Sequence, residues 1–142
     1  MTRIDFYFEA EDKLRVACRL SAKAAQQKLR VLIYAPDEAE AQRIDKLLWT
    51  WQATGFLPHC MTRSPLAAQT PVLITHDPED IPHDEVLLNL HSQWPPAFSR
   101  FQRLVEIVGR DDTDREAARE RFRFYRDRGY EIVNHDLSKT NG

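Results

Sequence analysis

Six arginines lie close together near the end of the sequence, within residues 115–128. When this segment is wound as a helix at about 100° per residue, four of them share an arc of about 80°. These four are Arg115, Arg119, Arg123 and Arg126. Phe122 falls at the edge of the arc, so an aromatic ring adjoins the cations. Guanidinium groups form paired hydrogen bonds with carboxylates and phosphates. The pattern can therefore bind a short acidic peptide with an apolar residue, or a nucleic-acid strand.

The opposite arc of this helix is apolar and is predicted to face the protein. It contains Ala117, Ala118, Phe122, Phe124 and Tyr125. Arg121 and Arg128 fall on the same inward arc, so we expect them to pair with neighbouring groups of the fold. A run of charges on a helix often reflects only contact with water. The segment alone therefore leaves two interpretations open, a cationic binding stripe and a solvated charged face.

The composition is that of a soluble globular protein of one domain. The chain has 142 residues, of which 42% are hydrophobic and 30% are charged. Its net charge of −2 argues against a general nucleic-acid coat protein, which would be basic over most of its surface. No apolar run predicts a membrane span or a signal peptide. The two cysteines, Cys18 and Cys60, are far apart in the sequence, which favours reduced thiols and a cytoplasmic location.

Segments of strand and helix character follow one another along the chain. Strands are predicted at residues 3–8, 30–35, 72–75, 86–90, 103–108 and 130–135, and residues 56–60 form either a short strand or an extended segment. Helices are predicted at residues 12–29, at 37–50 with Asp37 as its cap, at 95–101, and over the arginine-rich segment, which Asp112 or Thr113 caps and Gly129 ends. This order indicates an α/β fold, a three-layer sandwich with a mainly parallel (mixed) sheet and helices on both faces. We expect one domain over residues 1–142, with residues 137–142 frayed.

The sequence lacks the motifs of a nucleotide-binding enzyme. Its four glycines form neither a dinucleotide-binding pattern nor a phosphate loop, and the turn at residues 9–12 is acidic, which would repel a phosphate. His76–Asp77 and His83–Asp84 could be acid–base pairs, but a polar, proline-rich surface loop is the favoured interpretation. His59 and Cys60 are neighbours on a predicted strand, so their side chains should point to opposite faces. No metal-ligand spacing is present. We therefore predict no catalytic residue, no cofactor and no metal.

Three aromatic side chains are candidates for contacts outside the arginine-rich helix. Trp49 ends the second predicted helix and Phe56 follows the turn after it. Large aromatics at such a turn either cover the core or form a docking patch. Trp94 precedes two prolines and is interpreted as a packing residue.

Several stretches together resemble the chi subunit family of bacterial DNA polymerase III, a component of the clamp-loader complex. The resemblance is carried by Phe6-Tyr7, by residues 30–33, by Arg43, Asp45 and Leu48-Trp49, by Phe56-x-Pro58-His59, and by Arg119-Glu120-Arg121-Phe122-Arg123-x-Tyr125-Arg126-x-x-Gly129-Tyr130. It spans nearly the whole chain and is weakest over residues 62–84.

The resemblance implies a non-enzymatic adaptor. Members of the family bind the acidic, apolar-ended C-terminal tail of single-stranded-DNA-binding protein, and they pair with a small psi subunit that links them to the clamp loader. Nucleic acid is then contacted only indirectly, and no membrane is involved. Carried over to this sequence, the tail site consists of Val108, Arg115, Arg119, Phe122, Arg123 and Arg126, and the psi-facing surface contains Trp49 and Phe56. The family usually has tyrosine at the position of Phe122.

Two other functions stay open at this point. The same arginines, with Phe122 as a stacking surface, could bind single-stranded DNA directly. The chain could also be a small flavodoxin-like enzyme that uses His76, Asp77 or His59.

Overall fold

Short apolar runs rich in branched side chains form the strands of one parallel sheet. The computed structural model describes residues 1–51 and 57–139. The strands in these residues are β1 (Arg3–Ala10), β2 (Val31–Tyr34), β3 (His59–Met61), β4 (Val72–Thr75), β5 (Val86–Asn89), β6 (Arg103–Gly109) and β7 (Ile132–Asp136). They lie side by side in the order β3-β4-β2-β5-β6-β1-β7, and every strand pair is parallel. The predicted mainly parallel sheet is confirmed.

Three α-helices cover the two faces of the sheet. They are α1 (Lys13–Gln26), α2 (Glu38–Thr50) and α3 (Asp112–Asp127). Strand β2 shows why both faces are covered: Val31 and Ile33 pack in one apolar cluster with α1 and α2, while Leu32 and Tyr34 pack in another with α3. A strand buried on both faces is apolar at every position rather than at alternate ones. The predicted α/β sandwich, with helices on both faces, is confirmed.

Some element boundaries differ from the prediction. The helix predicted at residues 95–101 is a single 3-10 turn, Phe98–Arg100, because two prolines precede it and the chain soon enters β6. Further 3-10 turns occur at Ala67–Gln69 and Leu137–Lys139, and Leu137 packs against the cluster of α1 and α2. Residues 140–142 and the predicted contact residue Phe56 lie outside the described residues.

Aspartates cap the starts of the helices. Asp37 accepts a hydrogen bond from the Glu40 amide, as predicted for α2. The cap of α3 is Asp111, which accepts from the Asp114 amide, so the prediction of Asp112 or Thr113 was wrong by one or two residues. Gly129 ends α3 with a positive φ of 81°, as expected for a helix stop.

A buried network of charged and polar groups fixes α3 against the sheet. The Glu106 carboxylate of β6 accepts hydrogen bonds from Arg121 Nε at 3.0 Å and Tyr125 Oη at 2.6 Å, both on α3. Asn89 of β5 donates to it as well, at 3.1 Å. The Glu106 and Arg121 side chains are 0% and 2% exposed. Burial raises the pKa of Glu106 above its ordinary value, and the cation of Arg121 opposes this shift.

This network explains an arginine on the inward face of α3. Besides Glu106, Arg121 binds the carbonyl oxygen of Ser92 through Nη1 at 2.7 Å. The Arg128 guanidinium lies 3.6 Å from the centre of the Phe124 ring and donates to the Phe124 carbonyl. The expected pairing within the fold is confirmed for Arg121, whereas Arg128 is exposed and contacts Phe124 of the same helix.

Replacing Arg121 with methionine should strongly destabilise the protein. The substitution removes the buried cation and keeps most of the side-chain volume, so Glu106 becomes a buried carboxylate without its counterion. We expect the free energy of unfolding to fall by about 3–5 kcal/mol. The control Arg123→Met, at an exposed position of the same helix, should change it by less than about 0.5 kcal/mol. Urea unfolding followed by circular dichroism measures both, and equal values for the two variants would contradict this account.

Candidate functional site

A groove of about 420 Å³ lies between α3 and the edge of the sheet formed by β1 and β7. The sheet contributes Phe6, Phe8, Val108, Gly109 and Asn134 to its lining. The helix contributes Arg115, Ala118, Arg119 and Phe122, and Glu9 lies at one end. The groove therefore has an apolar floor and a cationic wall.

The floor follows from the alternation of side chains along β1 and its neighbours. Phe6 and Phe8 are two residues apart, so both point to the α3 face of the sheet. Asn134 is paired with Phe6 in the register of β1 and β7, so it shares that face. Val108 reaches the same face from β6 and is 5% exposed.

The wall follows from helical spacing. Arg115, Ala118, Arg119 and Phe122 are separated by three, four and seven residues, which places them on one face of α3. The Phe122 ring meets the Phe6 ring edge to face, with centroids 5.5 Å apart, and is half-buried. This contact holds Phe122 as a fixed side of the groove.

The two arginines of the wall are in different states. Arg119 is exposed and makes no hydrogen bond or ion pair with any residue in the described part of the chain. Arg115 is bound to Glu9, with its Nη2 at 2.8 Å from Oε1. An acidic ligand would therefore meet one available guanidinium and one that already holds a carboxylate.

The start of α3 is held firmly next to the groove. Asp114 accepts hydrogen bonds from the Gly109 amide at 2.6 Å and from Lys13 Nζ at 3.0 Å, so it joins β6, α1 and α3. A Cβ atom at Gly109 would lie 3.3 Å from an Asp114 oxygen, which explains a glycine at this position. Lys13 is engaged in this contact and does not line the groove.

Arg123 and Arg126, which the sequence assigned to the same stripe, lie outside the groove. Arg123 pairs with Glu120 at 3.3 Å and Arg126 with Asp127 at 3.0 Å, both on the helix surface. Arg126 shares the direction of Arg115 around the axis, but it lies four residues beyond Phe122, or about 6 Å farther along the helix. Arg123 points about 80° away from the direction of Arg115 around the helix axis. The helical projection gave the direction of each side chain around the helix axis, but not its position along that axis.

The three tryptophans, Trp49, Trp51 and Trp94, contact different parts of the fold. Trp49 is 58% exposed and meets the buried ring of His59 edge to face at 4.7 Å. Trp51 lies under the Arg15 guanidinium, 5.1 Å from its ring centre. Trp94 stacks on Phe124 at 3.7 Å, which agrees with its interpretation as a packing residue, and it is still 39% exposed.

The residues considered for catalysis do not form a common site. His59 is buried against the Leu57 and Asp45 carbonyl oxygens, while Cys60 packs in the cluster on the other face of the sheet. His76 contacts Arg63, and burial lowers the pKa of His83. Within residues 1–51 and 57–139, no group of three or more potential ligands is placed to hold a metal ion. No helix in these ranges has the length and apolar character needed to cross a membrane.

Sequence reasoning missed six of the ten residues that line the groove, namely Phe6, Phe8, Glu9, Gly109, Ala118 and Asn134. Glu9 appeared only as part of an acidic turn. Its contact with Arg115 joins residues 106 positions apart, and no local pattern predicts such a pairing. The alternation in β1 could have identified Phe8 once the face of Phe6 was known.

Comparison with known proteins shows the family of this chain. Residues 1–133 match the family model described as DNA polymerase III chi subunit, HolC. The chain is 35% identical to DNA polymerase III subunit chi of Pseudomonas aeruginosa, over 98% of this chain and 99% of that protein. It is 29% identical to the subunit chi of Haemophilus influenzae, over 86% of this chain and 85% of that protein. For the subunit chi of Escherichia coli the identity is 28%, over 83% of this chain and 81% of that protein.

These matches confirm the resemblance that the sequence motifs indicated. The family match includes β1, β6 and the arginine-rich helix of the groove in full and the first two residues of β7. The chain therefore belongs to the DNA polymerase III chi subunit family, a family of accessory subunits that do not catalyse the polymerase reaction.

Proposed function

We propose that this protein binds the acidic C-terminal tail of single-stranded-DNA-binding protein in the groove between α3 and β7. It thereby tethers the DNA polymerase III clamp loader to template coated with that protein. The observation that carries the proposal is the pairing of an apolar floor with the available cation of Arg119. The free thiols of Cys18 and Cys60 support a cytoplasmic location for this activity.

The chemistry of the groove fits such a tail. An apolar side chain at the end of the tail can fill the space between Phe122, Val108 and Phe8, where its burial is favourable. Carboxylates of the tail, including the terminal one, can pair with the guanidinium groups of Arg119 and Arg115, which suit carboxylates geometrically. Phe122 lacks a hydroxyl group, so it contributes apolar contact only.

Arg123 and Arg126 have a weaker role in this proposal. Both lie on the exposed surface of α3, beside acidic partners on the same helix. They attract an acidic tail over a distance, and this attraction is screened by salt. Exposed ion pairs contribute about 0.2–1 kcal/mol each, so the affinity of the whole site should be micromolar.

Removal of Arg119 or Phe122 should weaken tail binding without loss of fold. The probe is a fluorescent peptide with several aspartates that ends in an apolar residue with a free carboxylate. We expect Arg119→Ala and Phe122→Ala each to raise the Kd by about tenfold or more, as for central residues of a small interface. Fluorescence anisotropy measures the Kd. The thermal midpoint of Arg119→Ala should stay close to that of the wild type, and that of Phe122→Ala should be lower, because its ring packs on Phe6, with cooperative unfolding kept in both.

The matched control is Arg126→Ala, which removes the same charge from the same helix outside the groove. We expect its Kd to differ from the wild-type value by less than about threefold, as for an exposed ion pair. Wild-type affinity in both Arg119→Ala and Phe122→Ala would rule out the groove as the tail site.

The response to salt should separate the two contributions. The screening length falls from about 10 Å at 0.1 M salt to about 3 Å at 1 M. We therefore expect wild-type affinity to fall over this range. Arg119→Ala should show a shallower decline, because it has lost a charge contact. Phe122→Ala should bind the peptide more weakly at every salt concentration, but its affinity should depend on salt as that of the wild type does. Equal slopes for the wild type and Arg119→Ala in the same anisotropy titration would contradict an ion pair at Arg119.

Direct binding of single-stranded DNA predicts a different result. A labelled oligonucleotide of mixed sequence replaces the peptide in the same titration. Tighter binding of the oligonucleotide than of the peptide at moderate salt would favour DNA as the ligand. The net charge of −2 supports the peptide instead.

We further propose that the surface around Trp49 binds the psi subunit or another clamp-loader component. Trp49 is exposed on the sheet face opposite the groove, and exposed aromatics are frequent anchors of protein interfaces. The second residue of this predicted surface, Phe56, lies outside the described residues.

A Trp49→Ala variant should no longer bind this partner, but it should still bind the acidic tail peptide. We expect a tagged wild-type protein to recover clamp-loader subunits from a lysate of the source organism, and Trp49→Ala to recover much less. Both should bind the acidic peptide equally. The control Trp94→Ala removes an exposed aromatic from the opposite face and should recover the subunits normally. Equal recovery by wild type and Trp49→Ala would disprove the assignment of this surface.

A further inference from the structure

Glu9 lies between two arginines at the end of the groove. Its Oε1 is 2.8 Å from Nη2 of Arg115, which lines the groove. Its Oε2 is 3.7 Å from Nε of Arg110, which does not. Arg110 belongs instead to the lining of a second cavity, of about 810 Å³, at the carboxyl end of β1 and β6. Glu9 lines both spaces, so it separates them.

The backbone of Glu9 is unusual. Its φ is 64°, in the left-handed region that residues other than glycine and asparagine rarely adopt. Strained positions of this kind are retained where the surrounding structure holds them, and they concentrate at functional sites. Here the conformation directs the carboxylate of Glu9 toward Arg115, where the carboxylate of an acidic ligand would also bind.

We propose that Glu9 is a specificity-determining residue of the groove. Its carboxylate pairs with Arg115 in the unliganded protein, and it pairs with Arg110 instead when an acidic ligand binds. This inference rests on the proposed function. A ligand with several carboxylates can displace Glu9 from Arg115, because Glu9 retains a cation on its other side. A ligand without a carboxylate at Arg115 does not compete with Glu9, so Glu9 lowers the affinity for acidic ligands and leaves the affinity for uncharged ones unchanged.

Neutralising Glu9 should tighten peptide binding. Glu9→Gln keeps the size of the side chain and the Cβ atom, and it removes the charge that competes for Arg115. We expect the Kd for the same acidic peptide to fall about three- to fivefold, the upper part of the range of one exposed ion pair, because Glu9 and Arg115 are both partly buried. Glu9→Ala should give the same gain. Glu11→Gln is the matched control, since it makes the same change in net charge two residues away, outside the groove lining.

A double substitution tests whether Glu9 acts through Arg115. In an Arg115→Ala background, Glu9→Gln should give no gain, because the guanidinium for which Glu9 competes is absent. Arg110→Ala should weaken binding in the wild-type background and have no effect in the Glu9→Gln background, although Arg110 does not line the groove. Gain in the Arg115→Ala background, or equal gains for Glu9→Gln and Glu11→Gln, would overturn the proposal.

The selectivity is tested with a second peptide in which the aspartates are replaced by asparagines and the apolar end is kept. Glu9→Gln should increase the preference for the acidic peptide over this one, because only the acidic peptide presents aspartates that compete with Glu9 for Arg115. An unchanged preference would overturn the role in specificity. If the wild type binds neither peptide, the proposed function fails. If it binds the acidic peptide and Glu9→Gln leaves the Kd unchanged, only the inference about Glu9 fails.

Discussion

The buried carboxylate of Glu106 is the contact on which the position of the groove depends. It lies in the central part of the sheet and receives Arg121 and Tyr125 from α3 and Asn89 from β5. A buried charge is costly unless it is paired and hydrogen-bonded, so only one placement of α3 satisfies all of these groups. Apolar packing alone would tolerate small shifts of the helix. The network therefore fixes which residues of α3 face outward at the groove.

The outward face of the same helix carries residues of the proposed binding site. Arg121 and Phe122 are adjacent in sequence, and they do different things: one is buried in the network and the other forms a side of the groove. The first turn of α3 is fixed separately, through the contacts of Asp114 with Gly109 and Lys13. With both its middle and its start held, the helix presents Arg115 and Arg119 at defined positions. A rigid site of this kind loses little entropy when a flexible peptide binds.

Much of the fold could be predicted from the sequence, because periodicity reflects burial directly. The continuous apolar run of β2 indicated a strand covered on both faces, and the inward arc of α3 indicated that Arg121 would find a partner within the fold. The residues of the candidate site were harder to predict from the sequence. Angular position around α3 grouped Arg126 with Arg115, although the two are separated along the helix axis by most of its length. The pairing of Glu9 with Arg115 depends on how β1 and α3 meet in space, which local patterns do not record.

The central claim is that an acidic, apolar-ended peptide binds between α3 and the edge formed by β1 and β7. Its most direct test is a nuclear magnetic resonance titration of the ¹⁵N-labelled protein with that peptide, followed through backbone amide shifts. We expect the largest shift changes at residues 6–9, 115–122 and 134. Changes concentrated around Trp49 or Trp94, with the groove amides unaffected, would contradict it.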